Sequence, residues 1–230
     1  MGRRIAALVR HGDYCQRDGA PSAHQPFALT ARGRDQARGA AAALTAGTGE
    51  FSATLDPVLD SSRMLRAWQT ADAMASILGA ETTVESFDDL AERGVGAVAN
   101  LTEDEIRSIV ERDPRFDPLP RDWKADSHYC LPFQGAESLM AAGVRVARHL
   151  QARMAALPPG DGGSIVKAFV GHGAAFRHAA HHLGVLSFED IARLSMHHAR
   201  PVFLEISPSG EWRHVSGAWK IRGKGDTPLD

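Results

Sequence analysis

Near the amino end, Leu8-Val9-Arg10-His11-Gly12-Asp13 sets an arginine and a histidine directly after an apolar run. Far downstream, Phe169-Val170-Gly171-His172-Gly173-Ala174 repeats the plan. An arginine forks onto oxygens, an imidazole attacks or donates, and a glycine lets a ligand approach the backbone. Together they suit a phosphate. The plainer reading is a solvated rim, because a buried strand must end in something polar. One such motif leaves that choice open. Two of them form a constellation: if their strands run parallel side by side, both imidazoles meet at one sheet edge, and α/β sheets place ligand sites past the carboxyl ends of their strands.

The elements that would hold them there alternate along the chain. Ile5 to Val9 reads as a short buried strand, followed by a loop from Gly12 to Pro26. Thr30 is placed to cap the Ala-rich helix ARGRDQARGAAAAL. DPVLDSS carries a strand, RMLRAWQTADAMASILG a helix stopped by Gly79, and ETTVES a third strand. TEDEIRSIVERD is a helix with an acidic first turn. Residues 137–157 form a long helix ended by Pro158-Pro159-Gly160. SIVKAFV is a buried strand, AAFRHAAHHLG and FEDIARLS are helices, and PVFLEISPSGEWRHVSG is an edge hairpin. This order predicts an α/β fold with a largely parallel sheet.

The 230 residues suffice for one core with an elaborated cap, and 43% apolar and 23% charged residues are ordinary for a globular protein. A formal net charge of −2 gives no push toward nucleic acid or an acidic membrane surface. The two cysteines, Cys15 and Cys130, are no disulfide framework, and Cys15 is expected to be simply packed. The opening apolar run is too short for a signal-peptide core, and no stretch reaches the roughly 20 apolar residues of a membrane span. A cytoplasmic protein with reduced thiols is expected.

The chain resembles the histidine phosphatase superfamily, in its phosphoglycerate-mutase-like branch. The resemblance begins with LVRHG and continues through LTARGRDQA and SRMLRAWQTA, the second placing Arg66 as a second arginine. LAERGVG places Glu92, GAESLMAAGVRV resembles the Gly-Glu-Ser helix, and FVGHGAAFR places His172. One motif would be weak; these stand in the family's order over nearly the whole length. The resemblance implies a single domain over 1–230, three-layer α/β/α with a mainly parallel sheet. The irregular stretch from about 93 to 134 is then a cap insertion over the site.

It also implies roles. His11 is the nucleophile, neutral at the attacking nitrogen, with its other nitrogen donating to a backbone carbonyl. Arg10, Arg66 and His172 bind the phosphoryl oxygens, and a bound dianion favours a protonated His172. Glu92 gives the leaving group a proton and then takes one from water. Taken alone, Arg66 would be a surface charge and Glu92 a solvated loop residue, with Asp88, Asp89 and Glu103 as neighbouring candidates. No metal and no cofactor is called for.

Where the family's mutases have Glu-Ser and a Trp-Asn pair, this chain has Asp13, Tyr14 and then Arg17. Hydrolysis of a phosphomonoester is therefore favoured over phosphoglycerate-type transfer. The remaining alternative is a non-catalytic phosphate-binding scaffold. Arg17 is a candidate contact for a second anionic group. The partner is a phosphorylated small molecule or phosphoprotein, with Trp123, His128, Tyr129 and Phe133 as candidates to select it. Neither nucleic acid nor membrane is expected, and oligomeric state is not readable. His178, His181 and His182 have helical spacing but no Cys or Asp among them, so a polar helix face is preferred to a zinc site. The roles of His197 and His198 stay open. Met64, Trp68 and Met74 read as core.

Overall fold

A computed structural model describes residues 2–157 and 163–223. The opening apolar run becomes strand β1 (Arg4–Arg10). Its side chains alternate between two apolar clusters: Ile5, Ala7 and Val9 point to one face, Ala6 and Leu8 to the other. Burial on both faces is why the strand reads as an unbroken apolar run. Helices α1 (Ala31–Glu50) and α2 (Leu65–Leu78) cover the first face. Thr30 caps α1 by accepting from the Gly33 N–H, and Gly79 ends α2.

Strands β2 (Ala53–Leu55), β3 (Val58–Ser62) and β4 (Thr83–Phe87) lie around these helices in sequence. Helix α3 (Glu103–Arg112) follows, capped by Thr102, and then α4 (Leu139–Ala156). Strand β5 (Ser164–Gly171) leads into α5 (Gly173–His182) and α6 (Phe188–Arg193). Helices α4, α5 and α6 cover the second face. The chain ends in β6 (Leu194–Met196), β7 (Val202–Ile206), β8 (Trp212–Ser216) and β9 (Trp219–Ile221).

The main sheet has the order β4-β3-β5-β1-β7-β8, with β2 also pairing β5. β4, β3, β5 and β1 run parallel, and the β7–β8 hairpin adds antiparallel strands at one edge. The fold is thus the three-layer α/β/α arrangement with a mainly parallel sheet. Within β3, buried Asp60 accepts from His149 and Arg153 and pairs with Lys167 at 2.9 Å. Burial opposes its charge, but these partners outweigh that and hold the carboxyl below its ordinary range.

Three expectations on local structure are corrected. The predicted helix FEDIARLS stops at Arg193, because Leu194 and Ser195 pair with β9 in a small second sheet. Trp68 is not core: α2 turns its inner face to the sheet with Arg66, Thr70 and Met74, leaving Trp68 40% exposed. Cys15 is exposed rather than packed, and Cys130 is exposed as well. Pro158-Pro159-Gly160 lies outside the described residues. Among the described residues no helix is long and apolar enough to cross a membrane.

The stretch between β4 and α4 has its own apolar cluster, built on Ile106, Val110, Leu119, Trp123 and Leu131. It is closed at its base by a bridge between Val95 and Ala136 and by Glu137 N–H donating to the Gly94 carbonyl.

Candidate active site

The register of the two central strands decides where the histidines go. Arg10 of β1 stands beside Gly171 of β5, so His11 and His172 leave the same sheet edge as neighbours. The His11 N–H donates to the Gly171 carbonyl at 2.9 Å, and the two imidazole centroids are 5.1 Å apart. Both rings are buried.

His11 Nδ1 lies 2.7 Å from the Gly12 carbonyl, which can only accept. That contact assigns the proton to Nδ1 and the lone pair to Nε2. Nε2 accepts from Arg66 Nε at 3.1 Å. Burial, then the charges of Arg66, His172 and Arg10, push the His11 pKa well below the ordinary histidine value. The ring is neutral at neutral pH, with its unprotonated nitrogen aimed at a guanidinium.

Arg66 sits in the first turn of α2, at the carboxyl end of β3, and is fully buried. Its other nitrogens donate to the Gln25 and Ala23 carbonyls, and its guanidinium lies 4.5 Å from the Tyr14 ring centroid. His172 Nε2 meets Ser62 Oγ at 3.0 Å, while Nδ1 is buried with no hydrogen-bond partner among the described residues. Burial and the charge of Arg66 lower its pKa well below the ordinary value. A bound dianion acts in the opposite direction. Arg10 donates to the Met196 carbonyl at 3.0 Å, and its side chain crosses Gly173, where a Cβ would come within 3.1 Å of Arg10 Cδ.

Glu92 is buried, and its carboxylate accepts from the backbone N–H groups of Arg93, Ala174 and Ala175 at 2.9, 3.3 and 3.1 Å. It therefore sits at the start of α5, next to His172. The neighbouring acids point elsewhere. The Asp88 and Asp89 side chains are 81% and 62% exposed, and Glu103 pairs with Lys124. Arg17 is not brought into this cluster. Its guanidinium is half-exposed and is taken by the Asn100 carbonyl and by Glu105 at 3.4 Å.

The glycine after His11 has a different reason from the one its sequence suggests. A Cβ on Gly12 would stand 2.4 Å from the Gly33 carbonyl, and one on Gly33 would stand 1.8 Å from the Asp13 carbonyl. The two glycines let α1 press on the loop that follows β1. Several residues of the quoted motifs do the same work without being singled out as site residues. Thr30 binds Asp13, Gln36 takes the Asp13 N–H, Thr70 takes the Gly12 N–H, and Gln69 takes the Leu29 N–H. Ser62, which holds His172, and Thr70 stood in SRMLRAWQTA; the motif itself was the available signal.

A cavity of about 320 Å³ opens beside Glu92 and Ala174. Arg93, Lys124, Asp126, Ser127, Arg177 and Phe188 are among the residues that line it. Of the aromatic residues expected to select a substrate, Trp123 is instead buried inside the insertion, and Tyr129 and Phe133 pack on its cluster. His128 is outside, stacked on Phe188 at 5.6 Å. The helical histidines diverge: His178 meets Ser127 and the Ala174 carbonyl, His181 the Leu186 carbonyl, His182 the Met140 carbonyl. His178 is fully buried, not part of a polar face. Among the described residues no group of His, Cys, Asp and Glu is placed to hold a metal ion.

The family description "Histidine phosphatase superfamily (branch 1)" matches residues 6–220. Among solved structures, mycobacterial glucosyl-3-phosphoglycerate phosphatase aligns with a TM-score of 0.67 and 22% identity, covering 92% of this chain and 97% of its own. Two proteins described as mycobacterial hydrolase 1 and mycobacterial hydrolase 2 each align with a TM-score of 0.69, at 23% and 22% identity. The first covers 95% of this chain and 100% of its own, the second 98% and 95%. These likenesses establish the shared fold. No curated protein sequence matches the chain.

Proposed function

Since this chain belongs to the histidine phosphatase superfamily (branch 1), we propose that it hydrolyses a phosphomonoester through a phosphohistidine on His11. The observation that carries this reading is the state of His11: a buried, neutral ring, tautomer fixed by Gly12, with Nε2 facing Arg66. A lone pair presented to cationic donors in a dry site is what attack on a phosphoryl group requires.

In the first step Nε2 bonds to phosphorus as the ester P–O bond breaks. Glu92 gives its proton to the departing alkoxide. Arg10, Arg66 and His172 hold the equatorial oxygens, so charge spreading over them is met by fixed donors. In the second step water bonds to phosphorus, Glu92 takes its proton, and the P–N bond breaks to release phosphate. The balance is ester plus water to alcohol plus phosphate.

The insertion at about 93–134 caps the site, and the leaving group lies in the cavity beside Glu92. That cavity mixes cationic, acidic and aromatic side chains, which suits a polar phosphorylated small molecule. The phosphatase name of the structural neighbour acting on a phosphorylated small molecule agrees with this class.

The test is phosphate release from p-nitrophenyl phosphate and a panel of sugar and acid phosphates, with acid-quench trapping of labelled phosphohistidine. The wild type should release phosphate and trap label, and His11→Ala should do neither. Label trapped with transfer to an acceptor but no net release would make the protein a mutase. Phosphate binding without any label would make it a scaffold.

A further inference from the structure

We infer that His198 is a positioning residue for the nucleophile, a reading that rests on His11 being that nucleophile. The pairing of β1 with β7 ends at Leu8 and Val202. Beyond that point the carbonyls of Arg10 and His11 have no partner in β7. Buried carbonyls left unpaired are costly, and a peptide without partners is free to tilt.

The turn before β7 supplies what the strand does not. The Ala199 N–H donates to the Arg10 carbonyl at 2.8 Å. His198 Nδ1 lies 2.8 Å from the His11 carbonyl, which can only accept, so Nδ1 carries the proton. The same segment accepts from the Arg10 guanidinium through the Met196 carbonyl. Within one short segment, Met196, His198 and Ala199 thus hold the head group of Arg10 and the carbonyls of both Arg10 and His11.

The backbone of this turn is strained in a way that serves the contact. Ala199 has φ +53°, a left-handed conformation that is unfavourable for an alanine. Nothing about alanine favours it there. The conformation directs the Ala199 N–H at Arg10 while the preceding side chain reaches His11. The His198 and His11 ring centroids are 5.4 Å apart, so the imidazole of His198 flanks the nucleophile without replacing any of its own ring contacts.

On the other side, the His11 peptide is fixed by its own N–H on Gly171 and by the Gly12 N–H on Thr70. His198 closes the remaining direction. Its removal should let the His11 peptide rotate, moving Nε2 off the line of attack while leaving Arg10, Arg66 and His172 to bind phosphate.

The side-chain geometry offers a clean test. An asparagine Nδ2 occupies nearly the place of a histidine Nδ1, whereas a glutamine amide is one carbon too far out. In His198→Ala and His198→Gln, kcat should fall about tenfold to a hundredfold, with KM and inorganic-phosphate affinity changed less than about threefold. His198→Asn should recover kcat to within about threefold of wild type. In parallel, imidazole 15N spectra should report the Nδ1–H tautomer of His11 in the wild type and in His198→Asn, and an averaged signal in His198→Ala. Wild-type kcat in His198→Ala, or a His198→Asn variant as slow as alanine with an unchanged His11 spectrum, overturns the inference. A rise in KM alone would make His198 a substrate contact and also overturn it. Because the spectra need no turnover, a protein that releases no phosphate from any ester would sink the hydrolase reading and still decide the role of His198.

Discussion

At the phosphate end, polar side chains are held by the chain itself. Arg66 spends its nitrogens on His11, Gln25 and Ala23, His172 is fixed by Ser62, and His11 by Gly12. At the cavity end, charges arrive from separate segments on looser terms. Arg93 is buried against Trp123 with a 3.4 Å contact to the Lys124 carbonyl, and Lys124 is paired to Glu103. The first region is preorganised for one chemical group, which costs little reorganisation at the moment of reaction. The second is a wall that different chains of this fold can rebuild without disturbing the first.

The strongest way to break this contrast is Arg66→Ala. Its guanidinium faces the nucleophile, so kcat should fall about a hundredfold to a thousandfold. Arg66→Lys keeps the charge but cannot serve His11, Gln25 and Ala23 together, and it should recover less than about a tenth of the loss. Steady-state kinetics on the best ester of the panel reads both. A lysine variant near wild type would mean that charge alone, not the fork, matters at this end.

This division also governs what was legible in the sequence. Arg10 ends a strand and His11 and His172 directly follow one, where an apolar run and a His-Gly pair announce the edge, and strand register brings them together. Arg66 was readable only through its motif; as an arginine on an Ala-rich helix it carries no local sign of burial. Residues that work by holding others, such as Ser62, Thr70 and His198, have side chains common on any surface. What makes them functional is a partner 58 to 187 positions away in sequence. The insertion was visible as a break in regularity. That Trp123, Tyr129 and Phe133 pack on the insertion's own cluster instead of lining the cavity was not, because that packing is encoded by no short pattern. The three-residue strands β2, β6 and β9 are too short for a period-2 signal.

A second prediction sharpens the contrast through pH. His11, His172 and His178 are buried with lowered pKa values, that of His178 brought to about 3 by burial and the charge of Arg177. Unfolded, each titrates at about 6.5. Below that pH the unfolded chain takes up protons that the folded chain refuses, so stability falls as pH falls; above it nothing more is gained. Each histidine contributes a slope of about 1.4 kcal/mol per pH unit. Denaturant midpoints followed from pH 7.5 down to about 5 should show this, and His11→Asn should lose one histidine's share of the slope. An unchanged slope would mean that His11 is protonated in the folded protein, which would also remove its lone pair.

The smallest effects separate the two ends most finely. Arg93→Ala removes a buried cation from the cavity wall beside Glu92, where the leaving group is proposed to lie. For an ester with a polar or anionic leaving group, KM should rise about tenfold while kcat stays within about threefold, the signature of binding lost equally in ground and transition states. For p-nitrophenyl phosphate, which offers no such group, KM should move by less than about twofold. Arg17→Ala belongs in the same assay because it asks whether the positive edge of the site extends to the surface. Its guanidinium is already held by Asn100 and Glu105, and exposed pairs of that kind are worth no more than about 1 kcal/mol. A substrate would have to displace both partners to gain it. KM should therefore change by less than about twofold for every ester tried. A rise for doubly anionic esters alone, as large as that from Arg93→Ala, would extend the site to Arg17 and give the second anion a surface contact instead of a buried one.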